Sequence, residues 1–375
     1  MNKRLIPLLL ALSSTSLWAA NVQMYGVIDE GLLYQNQKVT AQSSESKFVM
    51  NESGFGKMGS RVGIKGHETL TPDLSVSFVL ETGYEPDSGM LTPVEKVSDR
   101  IFGRESQLSL HTPYGTFAFG RMGNLASANG TYALTLKHAS PYGPSFNQVA
   151  AMNFFAGAGR YDNMMTYRSP KLWGTTQFYV QHSLETNKTE REDVGNRKRY
   201  TGCGASFETG DLNLYMVLDE LRFSNKDNPG VKNAHTFSLV SNMKVPFGKF
   251  YLSGQYMKDV RAIAFGPNFM QADKNFSLNT KGHEGITGFS ILTGVDIPLG
   301  KGTLKTGLNW FEGENDGQAK ACDLRRWNTG IFYNYPLSKR TALYGGVSHG
   351  EQTSDMDKET KVKTTQGLMG LAHRF

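Results

Sequence analysis

Apolar and polar residues alternate singly along most of the chain. Val22, Met24, Gly26 and Ile28 interleave with Gln23, Tyr25, Val27 and Asp29. Ser60, Val62 and Ile64 interleave with Arg61, Gly63, Lys65 and His67, and Val76, Phe78 and Leu80 with Ser75, Ser77 and Glu81. Met369, Leu371, His373 and Phe375 form one stripe at the end of the chain. A period of two puts successive side chains on opposite faces of a strand, and no sustained 3.6-residue period competes with it. The pattern predicts an all-β protein.

The breaks between alternating runs are of two kinds, and they take turns. Seven are tight-turn strings: Thr71-Pro72-Asp73, Pro113-Tyr114-Gly115, Ser169-Pro170-Lys171, Thr209-Gly210-Asp211, Pro246-Phe247-Gly248, Pro298-Leu299-Gly300 and Pro336-Leu337-Ser338. Eight are long and polar, at about 36–57, 86–99, 122–158, 184–197, 224–233, 262–283, 313–323 and 353–361. Fifteen connections join sixteen strands, with both termini on the short-turn side. Short turns on one side and long loops on the other characterise transmembrane β-barrels of the outer-membrane type. An even strand count closes the sheet and leaves no unpaired edge in lipid. The expected fold is therefore a sixteen-stranded antiparallel transmembrane β-barrel, one domain over residues 21–375. Its terminal Phe375 suits an interfacial aromatic girdle.

Residues 1–20 read differently. Lys3 and Arg4 precede the apolar stretch Leu5–Leu12, and small residues lead to Ala19-Ala20. That is the layout of a cleaved secretory signal peptide, too short for a membrane-spanning helix. The mean hydropathy of −0.40 suits an exported barrel with a polar lumen as well as it suits a soluble protein. The formal charge of +6 is mild, and without Lys3 and Arg4 there are 38 basic residues against 34 acidic ones. No basic stripe suggests nucleic acid. Cys203 and Cys322 cannot form a disulfide framework, and no Cys/His cluster indicates a metal. No cofactor is expected.

Four segments, in this order and spacing, resemble the Gram-negative trimeric porins, especially those of neisserial and related β-proteobacteria. They are VQMYGVIDEGL, GSRVGIKGHETLTPDLSVSFVLETGY, FGRESQLSLHTPYGTFAFGRMGN and the closing GLMGLAHRF. The resemblance spans essentially the whole mature chain. It implies a homotrimer in the bacterial outer membrane, a passive channel for ions and small hydrophilic solutes, and a third long loop that folds inward to narrow the bore. Contacts with membrane lipid and lipopolysaccharide follow, as does recognition by the barrel assembly machinery through the strand ending at Phe375. The loop falls at about Met122–Gly159, and Tyr132, Leu134, Leu136, Tyr142, Phe146, Phe154 and Phe155 would anchor it.

A pore needs a width and a field rather than a catalytic group, and charges at a narrow point set ion preference. With Val62 and Ile64 toward lipid, Arg61 and Lys65 point inward. The family's basic wall cluster matches Arg61, Arg104 and Arg160. Along the strand from Arg160, parity groups Arg160, Asp162, Thr166 and Arg168 on the lumen face and Tyr161, Met165 and Tyr167 on the other. Strict alternation back from Leu108 and Leu110 turns Arg104 outward, against the resemblance. Arg121 opens the third loop with undetermined direction. The family commonly places acids on that loop, but residues 122–159 contain no Asp or Glu, only Lys137 and His138. Glu81, on the lumen face, is the nearest counter-charge. The expectation is an anion-leaning pore.

Three other readings compete. An enzyme lacks a GxSxG elbow or an HExxH motif, Gly282-His283-Glu284-Gly285 having no second His. A solute-specific channel would use an aromatic track, with Tyr25, Tyr142 and Trp173 as possible members, and would show saturable block of its conductance. A surface receptor would need a plug, yet alternation already starts at Val22.

Overall fold

The computed structural model describes residues 21–40, 43–51, 59–91, 100–143, 146, 154–186, 197–223, 226, 229–260, 285–315, 322–354 and 360–375. The expected signal peptide lies outside them, as do most residues of the loops at 187–196, 261–284, 316–321 and 355–359.

All regular structure among the described residues is strand. The strands are β1 (Asn21–Val39), β2 (Glu45–Asn51), β3 (Arg61–Thr71), β4 (Leu74–Gly83), β5 (Glu105–Thr112) and β6 (Gly115–Gly123). They continue with β7 (Arg160–Arg168), β8 (Thr176–Ser183), β9 (Arg199–Glu208), β10 (Leu212–Arg222), β11 (Ala234–Val245) and β12 (Gly248–Val260). The last five are β13 (Ile286–Leu299), β14 (Gly302–Asn315), β15 (Cys322–Pro336), β16 (Thr341–Ser354) and β17 (Thr360–Arg374). Consecutive strands pair antiparallel except β2 and β3, which both pair with β1, and β1 pairs with β17 along Val27–Val39, which closes the sheet. β2 and β3 share one place, against the Gly31–Gln37 and Asn21–Val27 parts of β1, so seventeen segments make a sixteen-strand barrel. Closure pairs the first strand with the last, so the barrel wall has no open seam there, as a hydrocarbon environment demands.

All seven predicted tight turns join consecutive strands. The first long break is corrected: β1 continues to Val39 and folds back as β2, so much of the expected 36–57 loop is a hairpin. Gln37 and Lys38 keep the alternation polar on both faces there, which made strand look like loop.

The outward face is a continuous apolar surface, with Ile64, Leu108, Phe119, Val180, Leu239, Leu252, Ile291, Ile331 and Met369 all exposed. This is the inverse of a soluble core and marks the lipid side. Phe375 lies on this face over Gly26 and exchanges backbone bonds with it, Gly26 N–H to Phe375 O at 3.1 Å and Phe375 N–H to Gly26 O at 3.2 Å. Cys203 is a free, exposed thiol.

The described residues of the segment 124–159 turn into the barrel, and all seven expected anchors are buried. On the β5 side, Glu105 accepts from Thr131 N–H (2.8 Å) and Thr131 Oγ1 (3.1 Å), and Ser109 bonds the Tyr132 hydroxyl (3.0 Å). On the opposite wall, the Tyr142 hydroxyl meets Gly330 O (2.7 Å) and Gly307 O (3.2 Å), and Phe146 stacks on Phe332 with centroids 4.4 Å apart. Ser253 donates to Ala139 O (2.8 Å), and Gln255 brackets Ala156, its Oε1 accepting from Ala156 N–H (2.6 Å) and its Nε2 donating to Ala156 O (3.0 Å). The described residues of the loop thus reach across the bore from β5 to β15 and are held by contacts on both walls.

Candidate functional site

The β3–β7 wall gathers charge opposite that loop. Tyr25 pairs with Gly63, Gly63 with Glu81, and Glu81 with Glu105, so these residues share the lumen face. Arg61 and Lys65 lie on the same face of β3. Glu81, 9% exposed, accepts from Arg104 Nε at 2.6 Å and from the Tyr25 hydroxyl at 2.8 Å, and lies 3.6 Å from Arg61 Nε. Lys65 Nζ stands 5.3 Å from the Tyr25 ring centroid.

Arg104 therefore points inward, and alternation misplaces it for a simple reason. β5 begins at Glu105, so Arg104 lies outside the strand and its chain bends, with its N–H donating to Glu81 O at 3.1 Å. Parity holds only within a strand.

Parity along β7 is also corrected. The register between β6 and β7 shifts between Gly120 and Met122, where Arg121 alone faces Asp162 and Asn163. Gly120 at φ 127° and Asn163 at φ 52° supply the left-handed conformations this bulge requires. A Cβ on Gly120 would come within 2.2 Å of Ser106 O. The bulge exchanges faces: Tyr161 pairs with lumen-side Met122, its ring 5.1 Å from that of buried Tyr200, while Met164, Thr166 and Arg168 face inward beyond it. Tyr161 thus shares its side with Thr166, against the sequence expectation.

Asp162 turns to Arg100 (2.6 and 2.7 Å) and to Arg121 NH1 (2.6 Å). Arg121 also donates to Gly103 O at 2.7 Å and is 7% exposed, so its charge is matched locally. Arg160 stays with the wall cluster, its charged neighbours being Arg104, Glu81, Glu105 and Arg121. It forms no ion pair among the described residues, and its Nε lacks a hydrogen-bond partner. Arg168 sits 5.6 Å from the Tyr132 centroid and 3.4 Å from Thr116 Oγ1, under the loop.

The loop face opposite carries little charge. Lys137 is exposed, and His138 stacks on Tyr215 with centroids 4.2 Å apart. Burial, with Lys137 and Lys249 nearby, pushes the His138 imidazole down to about 3, so it is neutral at ordinary pH. Arg61, Arg104, Arg160 and Lys65 thus stand against Glu81 and Glu105, and no loop acid offsets them.

A closed sixteen-strand barrel with an apolar outer face and a loop folded across a charged lumen is the architecture of a diffusion channel. The family model described as Gram-negative porin matches residues 8–355. The chain belongs to the Gram-negative porin family. This porin is 28% identical to an outer membrane porin protein of Bordetella pertussis, over 95% of its own length and 94% of the relative's. It is 25% identical to outer membrane porin protein 32 of Delftia acidovorans, over 93% and 89% respectively. Its fold matches the anion-selective porin from Comamonas acidovorans with a TM-score of 0.63 at 19% identity, covering 95% of this chain and 100% of that one. The porin resides in the bacterial outer membrane and forms a channel there.

Several lumen residues had no sequence signal. Arg326 lies buried beneath the loop, bonded to Gln352 (Nε, 3.0 Å) and 5.8 Å from the Phe154 centroid. Lys305 bonds Asp296 (2.9 Å) and Pro141 O (2.8 Å). Glu105 serves as a loop anchor. Only the loop's path decides which wall charges it covers. The suggested aromatic track does not assemble: Tyr25 is tied to Glu81, Tyr142 is buried against β14 and β15, and Trp173 is exposed in a short turn. Among the described residues, no group of three or more His, Cys, Asp or Glu is placed to hold a metal ion.

Proposed function

We propose that this porin is a general diffusion channel for small hydrophilic solutes with a preference for anions, narrowed by the loop at 122–159 facing Arg61, Lys65, Glu81, Arg104 and Arg160. Arg168 and Arg121 frame the site, Arg168 under the loop and Arg121 at its start. The carrying observation is the imbalance between those cations and the two wall carboxylates, across a loop without Asp or Glu. In a narrow bore with low-dielectric walls, a few unmatched charges set the sign of the permeant ion. The description of the similarly folded Comamonas acidovorans porin as anion-selective supports the same reading. The channel works without catalysis or cofactor. The working unit is a homotrimer, delivered by the signal peptide at residues 1–20, recognised by the barrel assembly machinery through the Phe375 strand, and surrounded by lipid and lipopolysaccharide.

The test is the reversal potential of the purified porin in a planar bilayer under a KCl gradient. A potential of the sign set by chloride is expected; one set by potassium overturns the anion preference. Absence of saturable block by sugars separates a general channel from a dedicated one.

A further inference from the structure

Below the loop, toward the short turns, the same wall carries a second set of basic side chains. On β3, His67 follows Lys65 on the lumen face, and both are exposed there. On β5, His111 faces the same space, its ring centroid 6.2 Å from that of His67. Its Nε2 lies 2.7 Å from Ser77 Oγ and its Nδ1 3.1 Å from Thr116 Oγ1. Arg168 reaches the same Thr116 hydroxyl from β7.

The surroundings can be followed element by element. β1 offers Asn21 and Gln23, β4 offers Ser75, Ser77 and Val79, and β6 offers Thr116 and Ala118 on this face. The loop offers the Tyr132 hydroxyl, already bonded to Ser109. The charged groups are Lys65 and Arg168. No carboxylate shares this face on β3 to β7 below Glu81 and Glu105. Glu208, on β9, bonds the Tyr215 hydroxyl (2.8 Å) and lies 3.8 Å from Lys171.

We propose that Lys65, His67, His111 and Arg168 form a second anion station whose strength rises with proton concentration, and that its ligands are small dianions such as sulfate or dicarboxylates. Imidazole is the side chain whose charge changes between about pH 5 and about pH 8. An imidazolium is a donor at both nitrogens, and both neighbours of His111 are hydroxyls able to accept. Protonation of His111 therefore breaks no hydrogen bond, and it adds positive charge beside two permanent cations in a solute path. The third described lumen histidine, His138, is stacked and neutral, so it contributes nothing in this range. The inference rests on the channel reading above and shares Lys65 and Arg168 with it; His67 and His111 have no part in that reading.

The experiment is block of chloride current by added potassium sulfate, a dianion throughout, in planar bilayers at about pH 7.5 and about pH 5. Block at the acid pH is expected to be at least about threefold stronger. The His67→Gln/His111→Gln double variant should lose that ratio, and His67→Lys should give strong block at both pH values. Folding of each variant is checked by its heat-dependent electrophoretic mobility; if the double variant does not fold, His67→Lys decides. Equal block at both pH values in the wild type, a ratio kept in the folded double variant, or no gain in His67→Lys overturns the station. The sign of the KCl reversal potential judges the channel reading separately.

Discussion

The two halves of the lumen both contain arginines and lysines, yet they use them differently. On the β3–β7 half, Arg160 and Lys65 carry no ion pair among the described residues, and one carboxylate, Glu81, serves both Arg61 and Arg104. On the β11–β16 half, Arg326 is buried under the loop and bonded to Gln352, and Lys305 is shared between Asp296 and Pro141 O. The β3–β7 wall leaves Arg160 and Lys65 without an ion pair among the described residues; the other wall engages its cations in holding the loop. A count of basic residues would not separate them, because a paired charge attracts little and an unpaired one acts through a confined, low-dielectric space.

The strongest way to break this comparison is to release the loop. Phe146→Ala removes the ring stacked on Phe332, at a local cost of about 3–5 kcal/mol. The strand ladder does not depend on it, so the barrel should still form. Single-channel conductance is expected to rise by about twofold, with more flicker; unchanged conductance would mean that the loop does not limit the bore. Tyr142→Phe, which loses bonds to Gly307 O and Gly330 O, should give the same effect more weakly, since each bond is worth about 1 kcal/mol net.

The comparison sharpens with Glu81→Gln. This keeps the volume but frees Arg61 and Arg104, so the chloride-to-potassium permeability ratio should rise by about twofold. A fall would show that Glu81 holds the arginines in place more than it cancels them. The smallest effect is predicted for His138→Gln. With its pKa already near 3, His138 bears no charge between about pH 5 and about pH 8, so its loss should leave selectivity unchanged across that range. Stability behaves differently. The unfolded imidazole binds a proton below about 6.5 and the folded one only near 3, so acidification below about 6.5 costs the wild type stability that His138→Gln does not lose. Thermal unfolding at two acid pH values reads this difference.

Much of the barrel was legible because its physics is local. Alternation fixes which side chains meet lipid, and the Pro and Gly strings fix the short turns. Arg61, Lys65, Glu81 and Arg168 face the lumen as that logic expects. It failed where the strand was interrupted. Arg104 is one residue short of β5, and Tyr161 lies across the bulge at Asn163, so parity assigned both to the wrong side. It also had no means of seeing that Asp162 absorbs Arg121, or that Glu105 ties down Thr131, because these partners are 41 and 26 residues apart. The loop's apolar content signalled an ordered segment, but its route across to Phe332 and Gly330 depends on the closed barrel and not on any local pattern.

The distinction between unpaired and engaged charge is tested most directly by two neutralising variants in the same KCl gradient, Arg160→Gln and Arg121→Gln. Arg160 has no ion-pair partner among the described residues, whereas Arg121 shares Asp162 with Arg100. Arg160→Gln should lower the chloride-to-potassium permeability ratio by about threefold or more, and Arg121→Gln should move it little. Equal shifts, or a larger shift from Arg121→Gln, would contradict the account.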